Sequence, residues 1–126
     1  MKSLLLVAHG SRREASNEEV RCVARSLSDR VQKQYAQTEC AFLELAEPSI
    51  PDGIEKLIRA GSTEVIILPY FLSAGRHVHE DVPSIVQSKQ DEYPNIKMTI
   101  TPYLGEAEQV IDVLATLSSQ TDTKNS

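Results

Sequence analysis

Two observations predict an α/β fold, a three-layer α/β/α sandwich built on a four-stranded parallel sheet. Strand-length apolar runs alternate with stretches of helical periodicity along the chain. Two of those runs, LLLVAHGSR at positions 4 to 12 and VIILPYFLSAGRH at positions 65 to 77, break at a glycine near a histidine. A βαβαβαβα order calls for right-handed crossovers that place helices on both faces of a parallel sheet. The simplest strand order is 2-1-3-4, whose switch point lies between the first and third strands. Open parallel sheets bind ligands at strand carboxyl ends near such a point, and these are the two strands that end at His9 and near His77.

Each element has its own signal. After the first strand, Ser16 and Glu19 have capping-box spacing, and Val20, Val23, Ala24, Leu27 and Val31 follow on one helical face. A second strand is expected from Glu39 to Leu45, closed by the turn Glu47-Pro48. Ser49 then caps a helix with Ile50, Ile54, Leu57 and Ile58 on its apolar face and Gly61 as its stop. Strand three runs from Glu64 to Pro69. His77 to Glu92 carries Val82, Ile85 and Val86 at helical spacing, with Pro83 in the first turn, where a missing N–H costs little. Tyr93-Pro94-Asn95 ends that helix, Ile96 to Thr101 alternates as a fourth strand, and Ala107, Val110, Ile111, Leu114 and Leu117 mark a last helix. Residues 1–118 read as a single domain and residues 119–126 as a polar, frayed tail.

Composition narrows the function classes. A chain of 126 residues buries roughly two thirds of its unfolded surface, so neither a metal nor a disulfide is needed to fold it. A net charge of -5 and an isoelectric point near 5.2 argue against a general nucleic-acid binder, whose footprint would be basic. There is no signal-peptide pattern and no run approaching the roughly 20 apolar residues that span a bilayer, so the expectation is a soluble, cytoplasmic protein without a membrane partner. Cys22 and Cys40 have no CxxC spacing and read as structural thiols.

The candidate site residues cluster around the two broken strands. His9 precedes Gly10-Ser11 and the basic pair Arg12-Arg13, just ahead of a helix, so that loop offers N–H groups and guanidinium forks to an anion. Two imidazoles aimed at one crevice suggest a divalent-metal site. His77 and His79 are two apart; in an extended segment they point to opposite sides, and His77, directly after Gly75-Arg76, is the one expected to join His9. Glu44 and Glu47 end strand two beside strand one and could each reach the crevice. Glu80-Asp81 reads as an acidic helix start.

These residues resemble a family. HGSRREASNEE, FLELAEPSIP and FLSAGRHVHEDVP are similar to the three signature segments of the small class II chelatases, the short sirohydrochlorin chelatases that insert cobalt, or in relatives nickel or iron, into a tetrapyrrole. The likeness runs from strand one through Asp81-Val82-Pro83; the last forty residues agree in pattern only. It implies that His9 is the proton acceptor and a metal ligand, that His77 is a second ligand, and that Glu47 contacts substrate. The segment Leu72, Ser73, Ala74, Gly75, Arg76 and His77 would line the substrate pocket, with Arg12 close by. The metal, Co2+ or otherwise Ni2+ or Fe2+, is a substrate, and no permanent cofactor is implied; the pathway would be cobalamin or related tetrapyrrole biosynthesis. Longer class II chelatases place two such domains around one cleft, so a chain of this length implies a homodimer. The histidine-rich stretch of some short relatives is missing here, which speaks against metal storage, and His79 could act as a substitute ligand.

The chemistry suits these side chains. Inserting a divalent ion removes two pyrrole protons, and an imidazole can hold the ion when neutral or accept a proton when free. The tetrapyrrole carries carboxylate arms, and Arg12, Arg13 and Arg76 supply local cations on an acidic chain. Two rival readings exist. LVAHGS is similar to the LVRHG motif of histidine phosphatases, although Ala8 stands where arginine is expected. A carrier of metal or tetrapyrrole would present the same ligands without turnover.

Overall fold

The computed structural model describes residues 1–121, and within them every side chain except that of His77. Of the expected tail, residues 122–126 lie outside the described residues.

The fold is organised around β1 (Lys2–Ala8), which is buried from Ser3 to Ala8. A strand apolar on both faces belongs in the middle of a covered parallel sheet. β1 is flanked by β2 (Gln37–Phe42) on one side and β3 (Glu64–Pro69) on the other, β4 (Lys97–Ile100) pairs with β3, all are parallel, and the order is β2-β1-β3-β4. Topology and layer architecture are those the sequence predicts. One face of the sheet carries Leu5, Val7, Ala41, Val65 and Ile67, which join Ile50, Ile54 and Leu57 of α2 (Ile50–Arg59) and Val82 and Val86 of α3 (Val82–Glu92) in the main core. Each fully buried Val, Leu or Ile among them contributes roughly 1.5–3 kcal/mol. The opposite face, with Leu4, Leu6 and Ala8, is covered along its β2 side by α1 (Glu14–Arg30), whose Arg21 guanidinium lies 5.4 Å from the centre of the Phe42 ring.

Several boundaries differ from expectation. α1 begins at Glu14, so Ser16 lies inside the helix and the Ser16–Glu19 capping box does not form. Ser11 supplies the start instead: its Oγ accepts a 3.0 Å hydrogen bond from the Arg13 N–H, which folds the chain into helix one turn earlier. β2 ends at Phe42 rather than Leu45: the Leu43 and Glu44 N–H groups still reach the β1 segment, but from successive residues, so the alternation of a strand is lost, and Leu45 adopts φ 67°. β4 is shorter than expected by one residue at each end. The α2 boundaries hold: Ser49 Oγ accepts from the Asp52 N–H, and Gly61 at φ 107° lets its own N–H return to the Ile58 carbonyl and the Ser62 N–H to the Leu57 carbonyl, a Schellman motif.

His77–Asp81 forms a π-helical turn, not an extended segment, so the alternation argument that set His77 against His79 loses its premise. The Val78 and His79 N–H groups both reach the Gly75 carbonyl at 3.1 Å. Pro83 has no N–H to return to the His79 carbonyl, which favours a widened turn at this point. The last helix, α4 (Gln109–Ser118), exists as predicted but buries none of its residues. Both cysteines are free; Cys22 is exposed and Cys40 half-buried, where burial pushes its thiol pKa up. Among the described residues no helix is long and apolar enough to cross a membrane.

Candidate functional site

The sheet order brings three segments to one carboxyl edge: His9–Ser11 after β1, Leu43–Glu47 after β2, and Tyr70–Arg76 after β3. The β1–β2 ladder continues past both strands, since the Leu43 N–H donates to the Ala8 carbonyl (2.8 Å) and the Glu44 N–H to the His9 carbonyl (3.0 Å). On the other side the Tyr70 N–H donates to the Val7 carbonyl at 2.7 Å. His9 is thus fixed by backbone pairing between its two neighbours, and its side chain is 42% exposed at the edge.

The His9 imidazole has a defined orientation. Nδ1 lies 2.9 Å from the Gly10 carbonyl oxygen. A carbonyl only accepts, so Nδ1 carries a proton and Nε2 is left as the working nitrogen. Nε2 stands 3.1 Å from Glu44 Oε2. An imidazole lone pair and a carboxylate oxygen at that distance require a cation between them, either a proton on Nε2 or a metal. Two donors that share one ion at metal–ligand distances near 2.1 Å are separated by about 2.9–3.4 Å, so the pair suits both occupants.

The turn that holds His9 is sterically specified. Gly10 has φ 96°, and a Cβ built there would lie 1.7 Å from the Glu44 carbonyl oxygen, so only glycine lets the two loops approach this closely. Ser11 is clamped by Asn17, which is 3% exposed: the Ser11 N–H donates to Asn17 Oδ1 (2.9 Å), and Asn17 Nδ2 donates to the Ser11 carbonyl (2.8 Å) and to Glu14 Oε1 (3.2 Å). After β3, Gly105 performs a similar service: its N–H donates to the Phe71 carbonyl at 2.9 Å, and a Cβ on it would lie 1.8 Å from the Leu72 carbonyl oxygen.

The predicted residues fall into three groups. His9 and Glu44 are brought together. Leu72, Ser73, Gly75, Arg76 and Arg12 are exposed along the same edge, Ala74 is half-buried, and a hollow of about 600 Å³ opens beside Tyr70, Leu72 and Leu104. Glu47 is exposed on the β2 flank, beside a hollow of about 430 Å³ that it shares with Glu44 and Leu45; its carbonyl accepts from Arg21 (3.3 Å), and the Glu47–Pro48 peptide is cis. The His77 side chain lies outside the described residues, and His79 is exposed. Leu45 and Leu72 are 53% and 68% exposed, which sets an apolar side chain on each side of His9. A further hollow of about 490 Å³ at the β2 edge, lined by Arg21, Arg25, Cys40 and Lys56, is away from this chemistry. Its cations are already paired, Arg21 and Arg25 with Glu18 and Lys56 with Glu39.

Sequence reasoning missed Asn17 and Gly105. Asn17 had a signal, because it stands on the stripe of Val20, Ala24 and Leu27, and a polar residue on an apolar stripe is there to hydrogen-bond. Gly105 had none, since its contact is with a loop more than thirty residues away.

Known proteins carry the same pattern. The chain is 35% identical over 111 residues to the chloroplastic sirohydrochlorin ferrochelatase of Arabidopsis thaliana, a match covering 88% of the chain and 48% of that relative, so the chain spans about half its length. It is 27% identical to the sirohydrochlorin cobaltochelatase of Saccharolobus solfataricus, covering 99% of both. The crystal structure of the sirohydrochlorin chelatase SirB from Bacillus subtilis subspecies spizizenii in complex with cobalt superposes with a TM-score of 0.85 at 27% identity, over 95% of this chain and 50% of that one. Residues 3–121 match the sequence model of the CbiX family, and with the sheet order, the His9 turn and the three segments at one edge in agreement, the chain belongs to that family.

Proposed function

We propose that this chain is a sirohydrochlorin chelatase that inserts a divalent metal, cobalt foremost with nickel or iron as alternatives, and that it works in the cytoplasm as a homodimer. The observation that carries the reading is the His9–Glu44 pair, whose 3.1 Å separation suits a proton or a metal equally. The relatives named as sirohydrochlorin chelatases support the substrate, and one of them matches this chain from end to end.

Chelation exchanges one dication for two protons: two N–H bonds break, metal–nitrogen bonds form, and both protons leave toward solvent. His9 Nε2 can hold the incoming ion with Glu44, release it to the pyrrole nitrogens, and then take a proton that Glu44 stabilises as an imidazolium partner. Leu45 and Leu72 offer apolar contact to the faces of a flat macrocycle on both sides of His9. Arg12 and Arg76, both exposed along that edge, are suited to its carboxylate arms. We assign His77 as a further ligand because it follows the Gly75-Arg76 turn at the end of the β3 segment.

The test is spectroscopic turnover of excess sirohydrochlorin with cobalt, nickel and iron in parallel. Multiple turnovers are expected; conversion that stops at one equivalent identifies a carrier and ends the enzyme reading. His9→Ala should reduce turnover by about 10²–10⁴-fold, the usual loss of acid–base catalysis. His77→Ala should abolish cobalt binding while His79→Ala changes it little, and the reverse result would reassign the ligand.

A further inference from the structure

We infer that Leu45 is a ring-selecting residue kept in a left-handed turn at the expense of fold stability: glycine at the same position gives a more stable chain that binds the tetrapyrrole less well. This rests on the chelatase reading above and assigns recognition of the ring, as distinct from the metal, to a named side chain of that site.

The first observation is the backbone. Among the described residues Gly10 at φ 96°, Gly61 at φ 107° and Leu45 at φ 67° have positive φ, and Leu45 alone of them carries a side chain. In the left-handed region a Cβ crowds the neighbouring carbonyl oxygen, so a leucine there destabilises the folded chain relative to glycine. At Gly10 and Gly61 the chain uses the residue type that the backbone favours. At position 45 it does not. Leu72, the other exposed leucine beside His9, has no such backbone.

The second observation is that the loop is held by other groups. Backbone bonds close it at both ends: the Leu43 and Glu44 N–H groups donate to the Ala8 and His9 carbonyls (2.8 and 3.0 Å), and the Phe42 N–H donates to the Pro48 carbonyl (2.8 Å). Arg21 reaches the Glu47 carbonyl at 3.3 Å. Packing comes from Phe42, which is fully buried, and from Leu43, which lies against the main core. Leu45 is outside that core and 53% exposed. Its side chain thus gives the fold little in exchange for an unfavourable backbone, and outliers of that kind collect where a ligand is held.

Position and chemistry name the part of the substrate it meets. Leu45 directly follows Glu44, whose Oε2 stands 3.1 Å from His9 Nε2. A hydrocarbon side chain neither holds a metal nor moves a proton, so beside that pair it recognises apolar surface only. The surrounding hollow of about 430 Å³ is otherwise lined by the carboxylates of Glu44, Glu47 and Asp52, which repel the carboxylate arms of a tetrapyrrole. The flat face of the ring is the part that suits Leu45. Covering the exposed part of a leucine is a hydrophobic gain proportional to the area removed from water, and unlike an arginine–carboxylate contact it is not screened by salt.

The test joins thermal unfolding of the ligand-free chain to titration with sirohydrochlorin and, separately, with cobalt. Leu45→Gly removes both the strain and the side chain, so Tm should rise by about 2–5 °C while the sirohydrochlorin Kd rises by about tenfold. Leu45→Ala removes the side chain and keeps the strain: the same loss of affinity is expected with Tm within about 2 °C of wild type. Leu45→Met keeps the apolar reach and should bind within about threefold of wild type. The losses should be equal at low and moderate salt, and cobalt affinity should be the same in wild type and Leu45→Ala. A glycine variant no more stable than wild type overturns the inference. So do glycine and alanine variants that keep full affinity for the ring, and in that case the chelatase reading stands. An alanine variant that binds the ring as wild type does but sediments at a lower mass shows that Leu45 covers a second copy, which also overturns it. A wild type that neither binds nor converts sirohydrochlorin overturns the chelatase reading and this inference together.

Discussion

Asn17 holds the loop after β1 from inside the first helix. Its carboxamide is buried and engages both polar backbone atoms of Ser11, next to the glycine that sets His9 against Glu44. Asn17→Ala removes both partners of the half-buried Ser11 N–H and carbonyl, which costs about 1 kcal/mol for groups that water can partly reach. Denaturant unfolding should show that loss, and metal insertion should fall while sirohydrochlorin binding changes less. A variant within about 0.5 kcal/mol of wild type, the range of a neutral surface change, would mean that Ser11 is held by other contacts. At this scale the sequence was informative where chemistry and backbone demand coincide. The His9-Gly10 pair was legible because a glycine after a strand signals a turn that only glycine can make. The choice between Glu44 and Glu47 was not legible, because it depends on where β2 stops, and that is set by the contacts of Leu43 and Glu44 with the Ala8 and His9 carbonyls, more than thirty residues away, and by the left-handed turn at Leu45.

The helices illustrate which element signals survive folding. Ser49 and Gly61 bracket α2 as their types dictate, because cap chemistry is local. The Ser16–Glu19 pair had the right spacing for a box and failed, since Ser11 offered an earlier start. α2 and α3 are then tied by side chains rather than by pattern: Lys89 Nζ lies 2.7 Å from Glu55 Oε1, the Tyr93 hydroxyl donates to Glu55 Oε2, and Arg59 approaches at 3.5 Å. The hydrogen bonds from Lys89 and Tyr93 hold the Glu55 carboxyl below its usual pKa, and the bond to Glu55 raises that of the Lys89 ammonium. A depressed carboxyl stabilises the fold above its unfolded pKa, near 4.5, and that contribution is lost as pH falls through the lower folded value. A raised ammonium contributes below its unfolded pKa, near 10.5, and that part is lost as pH rises through the higher folded value. Glu55→Gln should therefore lower Tm at pH 7, and the gap to wild type should close as the solution is taken below pH 4. A gap of constant size across that range would show that packing, not ionisation, holds α2 to α3.

For the molecule as a whole, the alternation of strands and helices was enough to set the layers and the order β2-β1-β3-β4, since right-handed crossovers leave few alternatives. The position of α4 was beyond the sequence: Val110, Ile111, Leu114 and Leu117 declare an amphipathic helix, but periodicity cannot say whether its cover is the same chain. Charge poses a similar question of scale. The net charge of -5 opposes an anionic tetrapyrrole at long range, yet screening beyond about 8 Å at physiological ionic strength leaves the outcome to the cations at the edge, Arg12 and Arg76, which stand exposed beside His9 and after the β3 loop. A charge-assisted hydrogen bond to a carboxylate is worth about 1.5–3 kcal/mol, so Arg76→Ala should weaken sirohydrochlorin binding by about tenfold or more while cobalt binding stays nearly intact. Arg76→Lys should recover part of the loss, since an ammonium keeps the charge and gives up the bidentate fork. Raising the salt from low to moderate should narrow the difference between wild type and Arg76→Ala, because added ions screen the contact that the variant lacks. Titrations that give equal affinity for wild type and an Arg12→Ala/Arg76→Ala double variant at both salt concentrations would place the carboxylate contacts on other residues.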